Sequence, residues 1–324
     1  MAQVLEYVKI GLRWCLSNKS KFALALLSTL LFLFLLFPFD DLSDLVASQV
    51  SKATQNQVYV QFDHMDINIL PMGLHLENLS VETRAFPAIT VGEISVSPSI
   101  SALIYQKPGG SLYAKGFLKG NVDISLSSGG KSENGVEKNK ITIEAEKLSL
   151  KDLQELLNLP VPLRGNLDLK STAVADFAFK EQPDVEVDLK VEKFEIPPSN
   201  VNTPMGPMNL PELKVSSLQL KGRLSAGRFQ IEQGLIGKGA DEITGTIKGG
   251  MSMQIQNLGG RIMPMPGSYS FDIDITVKKS FEDRAKLFLS FIEQHKTPVA
   301  DGARFKFKLS ASGPESVPNF GALQ

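Results

Sequence analysis

Cysteine is nearly missing from this sequence: among 324 residues there is one, Cys15. A chain with a single thiol forms no internal disulfide, so whatever body it builds must be held by strand pairing and apolar burial. Histidine is scarce as well, with three copies, placed at His64, His75 and His295. On strands, His64 would share a face with Asp66 and His75 with Glu77, but a metal needs at least one more ligand brought in from a distance. These read as surface histidines, and no metal is assigned. An excess of charge of either sign is lacking too, 34 Lys and Arg standing against 35 Asp and Glu for a net charge of −1. That balance excludes the basic footprint of a nucleic-acid binder and gives no steering field for a strongly charged substrate. Absent finally are the spacings that carry chemistry: there is no G-x-S-x-G elbow, no H-E-x-x-H, and no ordered phosphate loop. The glycines of 234–240 are followed by strand alternation where a phosphate loop needs a helix, so they read as a hairpin. The chain is therefore expected not to be an enzyme, with no catalytic residue and no cofactor.

What the chain does have is one long apolar run. Residues 22–39 carry no charge and are followed at once by Asp40 and Asp41. As a helix rising ~1.5 Å per residue, the run covers nearly all of the ~30 Å of bilayer hydrocarbon. A secretory leader has a shorter apolar core and a small-residue cleavage site, and a buried globular helix carries more polar interruptions than Ser28 and Thr29. The run is predicted to be an uncleaved transmembrane anchor, marked by Phe22, Leu30 and Phe39. Lys9, Arg13, Lys19 and Lys21 precede it and Asp40, Asp41 and Asp44 follow. The positive-inside rule then leaves residues 1–21 in the cytoplasm and carries 40–324 across, into the periplasm of a Gram-negative cell.

Beyond the anchor the pattern changes twice. Leu42, Leu45, Val46, Gln49, Val50 and Ala53 recur at helical spacing, predicting a short amphipathic helix at about 41–54. From Gln57 the apolar period drops to two. Val58, Val60 and Phe62 open a series of alternating runs that continues through 185–194, with Val187 and Leu189, through 269–277, with Phe271 and Ile273, and through 304–311, with Phe305 and Phe307. Two helices interrupt the series, at 149–158 and 280–294. The polar, Gly-rich stretch 127–139 is predicted to be a flexible loop dividing the body into 40–126 and 140–324. The Met- and Pro-rich stretches holding Met205, Met208, Met263 and Met265 are predicted to be loops available for partner docking. An aliphatic-basic-Gly pattern recurs at 118–120, 163–165, 220–222 and 247–249. It reads as a strand, a tight Gly turn and a return strand.

Many antiparallel strands, each apolar on alternate residues, need cover for one face. The sheet either folds onto itself as a sandwich or barrel, or curls into an open trough whose lining, candidates Val58, Val60, Phe62, Val187, Leu189, Phe271, Ile273, Phe305 and Phe307, meets lipid or a partner.

The anchor, the short helix and then Gly73-Leu-His-Leu-Glu-Asn-Leu-Ser-Val81 resemble the start of AsmA-like envelope proteins, as the glycine-punctuated strand at 239–249 and the segment 305–313 resemble their later strands. In length and layout the chain is most similar to the protein N family of the bacterial type II secretion system, in the branch with an AsmA-like body. The resemblance implies a mainly β body, an elongated, curved antiparallel sheet forming a groove. It further implies a single-pass inner-membrane protein with its bulk in the periplasm and no catalytic residues. As function it implies an accessory of the secretion machinery that docks other envelope proteins, or, as the alternative, a lipid-binding or lipid-transfer module carrying phospholipid acyl chains in the groove. Membrane lipids and secretion-system proteins are the expected partners.

Overall fold

The structure, a computed structural model, describes residues 19–35, 43–54, 56–69, 72–83, 87–203, 206–258, 261–314 and 316–323. It is mainly β, 61% strand, built around one large antiparallel sheet with a few short helices. Helix α1 (Lys19–Leu35) and helix α2 (Ser43–Ala53) precede β1 (Val58–Gln61), β2 (His64–Ile69), β3 (Met72–Thr83) and β4 (Ile89–Pro98). Helix α3 (Ile100–Ile104) leads into β5 (Gly110–Phe117), β6 (Gly120–Lys131) and β7 (Glu137–Ser149); helix α4 (Leu150–Leu156) leads into β8 (Arg164–Ala175) and β9 (Asp184–Ile196). A separate two-stranded hairpin, β10 (Ser199–Thr203) and β11 (Gly206–Leu210), comes before β12 (Leu213–Ser225), β13 (Arg228–Ile236), β14 (Ile243–Leu258) and β15 (Arg261–Lys278). Helices α5 (Lys279–Arg284) and α6 (Lys286–Leu289), a 3₁₀ segment (Ser290–His295), β16 (Lys296–Val299), β17 (Gly302–Ala311) and β18 (Asn319–Ala322) complete the chain.

Successive strands pair antiparallel in a 16-stranded sheet that has two free ends. β1 and β2 share β3 at one edge, and β16 and β18 share β17 at the other. Among the described residues no pairing joins the two edges, so the sheet is open and not a closed barrel. The registers also fix two ends. β1 begins where β3 stops, and the turns holding α4, the β10–β11 hairpin and the α5–α6–3₁₀ segment fall at that same end. It is called the α2 end below, and the opposite one, where α3 joins β4 to β5, the α3 end.

Side chains alternate across a strand, so an unbroken strand keeps its apolar set on one face only while the alternation holds. In this sequence it slips by one residue between Leu76 and Leu79, Ala145 and Leu148, and Val191 and Phe194. The residues inside those gaps, Asn78, Lys147 and Lys193, have φ of 52°, 56° and 53°. At Lys147 and Lys193 the pairing with β8 shifts register, so each makes a bulge that absorbs the extra residue, returns the next apolar side chain to the original face and bends its strand, whereas at Asn78 the pairing with β4 runs on without a shift. The aliphatic-basic-Gly pattern marks a tight turn only at 118–120, where Leu118 and Lys119 take φ of 46° and 65° between β5 and β6. The copy at 163–165 leads into β8, and the other two lie within β12 and β14. There the glycine allows close strand approach: a Cβ on Gly249 would stand 2.2 Å from the Ser270 carbonyl oxygen.

Three apolar clusters hold the body. Leu150 of α4 packs with Ala145, Leu148, Leu167 and Val191. Phe62, Met65, Leu79, Val91 and Ala114 form a second, with Val46 of α2 against it. The third seats Phe281, Ala285, Leu289 and Ile292 on Ile243, Val277, Ala303, Phe305 and Phe307. The single helix predicted for 280–294 is three pieces. Ser290 donates its hydroxyl to the Leu287 carbonyl at 2.7 Å, a local bond that suits the tighter 3₁₀ winding, while the buried stripe is kept across the breaks.

Three predicted loops contain strand, the one holding Met208 being β11 of the hairpin above. Within 127–139 only a short turn between β6 and β7 is irregular, so the sheet passes through the expected division. The polar residues there are used locally: Ser132 and Asn134 donate to Glu181 Oε1 at 3.0 and 2.8 Å, and Lys138 Nζ lies 3.1 Å from Glu181 Oε2. The stretch holding Met263 and Met265 is the first part of β15, paired with β14. β17 reaches only as far as Tyr269, so Pro264 and Pro266 lie along a free edge where no donor is needed.

Candidate binding face

The antiparallel registers place the apolar side chains of many strands in line. One row runs Ala114, Val122, Ala145, Leu169, Leu189, Leu220, Gly234, Ile247, Ile273 and Phe307 from β5 to β17. With about 4.8 Å between neighbouring strands it extends roughly 40 Å across the sheet. Gly234 interrupts it, and glycines in the neighbouring rows are overlapped by larger neighbours: a Cβ on Gly222 would meet the Phe229 ring at 2.6 Å, and one on Gly245 the Ile275 side chain at 2.7 Å.

Cover over this face is uneven. α4 and the α5–α6–3₁₀ segment cap parts of it at the α2 end. Elsewhere Ile124, Ile143, Leu169, Val187, Leu189, Leu220, Phe271 and Ile273 are half-buried, reached by solvent from above while flanked by neighbouring strands. Of the expected lining residues, Val58, Val60, Val187, Leu189, Phe271 and Ile273 fit that description. Phe62, Phe305 and Phe307 do not. They lie on the same face but are 6%, 0% and 6% exposed, because Phe62 closes the second cluster and the two others sit beneath the α5–α6–3₁₀ segment.

The opposite face is a lattice of cross-strand ion pairs. Glu144, Lys170, Asp188 and Lys221 stand opposite one another on successive strands, with Lys170 3.5 Å from Glu144 and Lys221 2.8 Å from Asp188. Arg223 pairs with Glu186 beside them. Near the far edge Arg304 grips Asp274 with two bonds of 2.7 and 2.6 Å, which hold the Asp274 carboxyl below the usual range. The same attraction raises Lys221 and Arg304. These charges satisfy one another across strands and leave this face polar.

The other expected positions are scattered. Phe22 and Leu30 fall within α1, whereas Phe39, Cys15 and Met205 lie outside the described residues. Met208 is opposite Val201 in the β10–β11 hairpin, and Met263 and Met265 are 44% and 46% exposed. The β2–β3 register sets His64 opposite Glu77 and Asp66 opposite His75. His75 Nδ1 is 2.9 Å from Ser95 Oγ, and its Nε2 is 3.6 Å from Glu77. Among the described residues no group of three or more His, Cys, Asp or Glu side chains is placed to hold a metal ion. His295 serves packing, its Nε2 3.1 Å from the Phe320 carbonyl and its ring stacked on Phe307.

Sequence reasoning missed one feature. At the α3 end, Ile67, Met72, Leu74, Val96, Pro98, Leu112, Ile124 and Leu126 line a cavity of about 580 Å³ on the apolar face. The readable signal was Ile100-Ser-Ala-Leu-Ile-Tyr105, a turn whose large apolar residues have no strand of their own to pack on. Comparison with protein-family models, curated proteins and solved structures finds no match to the chain.

Proposed function

We propose that the chain is a membrane-anchored, non-enzymatic lipid-binding protein whose groove-forming sheet shelters hydrocarbon chains on its apolar face. The observation that carries this reading is the uncovered row of half-buried aliphatic side chains through Leu169, Leu189, Leu220 and Ile273, opposite a face whose charges are paired with one another. Such a surface favours a flexible apolar occupant over an anion or a polar substrate. The bulges at Lys147 and Lys193 add local bends, as a trough requires.

The anchor belongs to the proposal as well. α1 has 17 residues, about 25 Å of helix, and all of its described side chains are exposed, among them Leu24, Leu27 and Phe32 at 69%, 67% and 62%. Among the described residues no helix is long and apolar enough to cross a membrane. Residues 36–39 of the expected span lie outside them. Eight peptide steps separate Leu35 from Ser43, a covalent reach of at most roughly 25–30 Å, so the α2 end of the sheet stays close to wherever α1 is held. With basic residues before α1 and acidic ones after it, the body faces the periplasm of a bacterial inner membrane. The resemblance to AsmA-like envelope proteins supports the same placement.

A second reading, an accessory of a type II secretion system that docks neighbouring proteins, draws support from the β10–β11 hairpin and the exposed Met263 and Met265. Docking through sheet edges is less favoured. Each edge is split into two short strands, and β16 carries Pro298. The test is lipid analysis of the full chain purified from membranes, with Val187→Asp and Ile273→Asp compared by mass spectrometry after circular dichroism confirms the fold. Lipid retained by the parent and lost from both variants supports the first reading. A parent without lipid, cross-linked to secretion proteins through 261–267, supports the second.

A further inference from the structure

We infer that the cavity at the α3 end is the site where a single lipid hydrocarbon chain enters the apolar face, with α3 as the surface that meets the lipid it comes from. The inference rests on the lipid-binding reading and adds a place and a direction to it. The cavity of about 580 Å³ falls within the ~300–1,000 Å³ typical of small-ligand sites. Among the described residues that line it, the only side-chain polar atoms are the hydroxyls of Ser97 and Ser111, and none of those residues is titratable. It therefore suits the hydrocarbon end of a lipid and offers nothing to a charged headgroup.

Helix α3 supplies the independent observation. Its position is fixed: the Ser99 side chain caps it, Ser99 N–H donates to the Gly109 carbonyl at 3.1 Å, and Lys107 N–H donates to the Ala102 carbonyl at 2.8 Å. The contact is so close that a Cβ on Gly109 would stand 2.6 Å from the Ala102 Cβ. Yet the large side chains of this pinned turn face water, Ile100, Leu103, Ile104 and Tyr105 being 54%, 56%, 71% and 73% exposed. Met72 and Val96 at the cavity rim are 48% and 39% exposed. A rigid apolar knob beside an apolar cavity matches a lipid surface. The cavity is continuous with the binding face, since Leu112 and Ile124 of its lining stand in register with Ile143. β3, 12 residues long, runs from Met72 at the cavity rim to Thr83 beside the start of β1, which places this entrance roughly 35–40 Å from the tethered α2 end.

The experiment uses the full chain in detergent and a long-chain fatty acid carrying a diazirine at its methyl end, cross-linked by light and mapped by peptide mass spectrometry. Adducts are expected within 67–74, 96–112 and 124–126. Val96→Trp and, separately, Met72→Trp narrow the rim and should lower those adducts at least about tenfold, one order of magnitude in affinity, while Lys248→Trp, exposed on the opposite, charged face, lowers them less than about twofold. Leu103→Glu with Ile104→Glu should slow uptake of the same probe from phosphatidylcholine vesicles. Adducts confined to β12–β17 would overturn the entrance and leave the lipid-binding reading standing. Adducts nowhere would overturn both. Cavity adducts indifferent to both rim variants, each shown to be folded by circular dichroism, would overturn the entrance.

Discussion

Truncating two side chains of the same face, Phe305→Ala and Leu189→Ala, should give unequal losses of stability if that face is covered in one place and open in the other. Phe305 is 0% exposed, enclosed by Val277 and Ala303 on the sheet and by Phe281, Ala285, Leu289 and Ile292 above it. Removing a ring from such a site leaves a cavity that its surroundings only partly fill, at a cost of about 3–5 kcal/mol. Leu189 is flanked by Leu169 and Leu220 and packs at the margin of the cluster that Leu150 of α4 closes, but it is only half-buried. Full burial of a leucine contributes about 1.5–3 kcal/mol, so a position still reached by water loses about 1 kcal/mol on truncation. At roughly 2–3 °C per kcal/mol for a body of this size, Phe305→Ala lowers the melting midpoint by roughly 6–15 °C and Leu189→Ala by about 2–3 °C. Thermal unfolding followed by far-ultraviolet circular dichroism reads both. Equal losses would mean that Leu189 is as enclosed as Phe305, and the open face would be refuted.

Gly302 has φ of 137°, and a Cβ there would stand 2.0 Å from the Val277 carbonyl oxygen, so Gly302→Ala should destabilise by more than about 1 kcal/mol in urea titration. Lys147 and Lys193 hold φ of 56° and 53°, which an L residue adopts at a cost of about 1 kcal/mol, so Lys147→Gly and Lys193→Gly should leave stability unchanged or raise it by up to that amount in the same assay. The Arg304 guanidinium holds the Asp274 carboxyl below its ordinary value, so this pair stabilises the fold above about pH 4 and the contribution is lost as pH falls through the lowered value. Asp274→Asn should therefore be less stable than the parent at neutral pH and decline less between about pH 5 and pH 3, measured by urea midpoints at each pH. A constant gap between the two chains across that window would show that the pair contributes nothing through ionisation.

The clean alternation of 269–277 and 304–311 was legible because each strand has one oily side and one charged side, and the structure pairs them as Ile273 with Phe307 and Asp274 with Lys306. The short helix after the apolar run was legible from its spacing, and so was the helix following Ser149, whose hydroxyl accepts from Asp152 N–H at 3.3 Å. The bulges were harder to read, since a one-residue slip in the pattern looks like the end of a strand until the neighbour's register is known. Composition misled at 127–139 only in extent: Ser132 and Asn134 do lie in a turn, but the residues on either side are strand, and Ser132, Asn134 and Lys138 are drawn onto Glu181 of the next turn, far away in sequence. Proline misled at 264 and 266, because it excludes only strand positions that must donate. Phe62, Phe305 and Phe307 were placed on the right face, but their burial depends on elements that fold over them from other parts of the chain. The cavity at the α3 end is built from four separate stretches of sequence, and no single one of them announces it.

The openness of the apolar face can be measured by thiol reactivity, because the chain has one cysteine of its own, Cys15. In a Cys15→Ser background, Leu189→Cys and Val277→Cys place one thiol at a half-buried position of the uncovered face and one at a position 0% exposed. Maleimide should modify the first readily in lipid-free protein and slowly once phospholipid is added, and should leave the second unmodified under both conditions. If the thiol at 189 were as unreactive as the thiol at 277 without lipid, or equally reactive with and without it, the binding face described here would not exist.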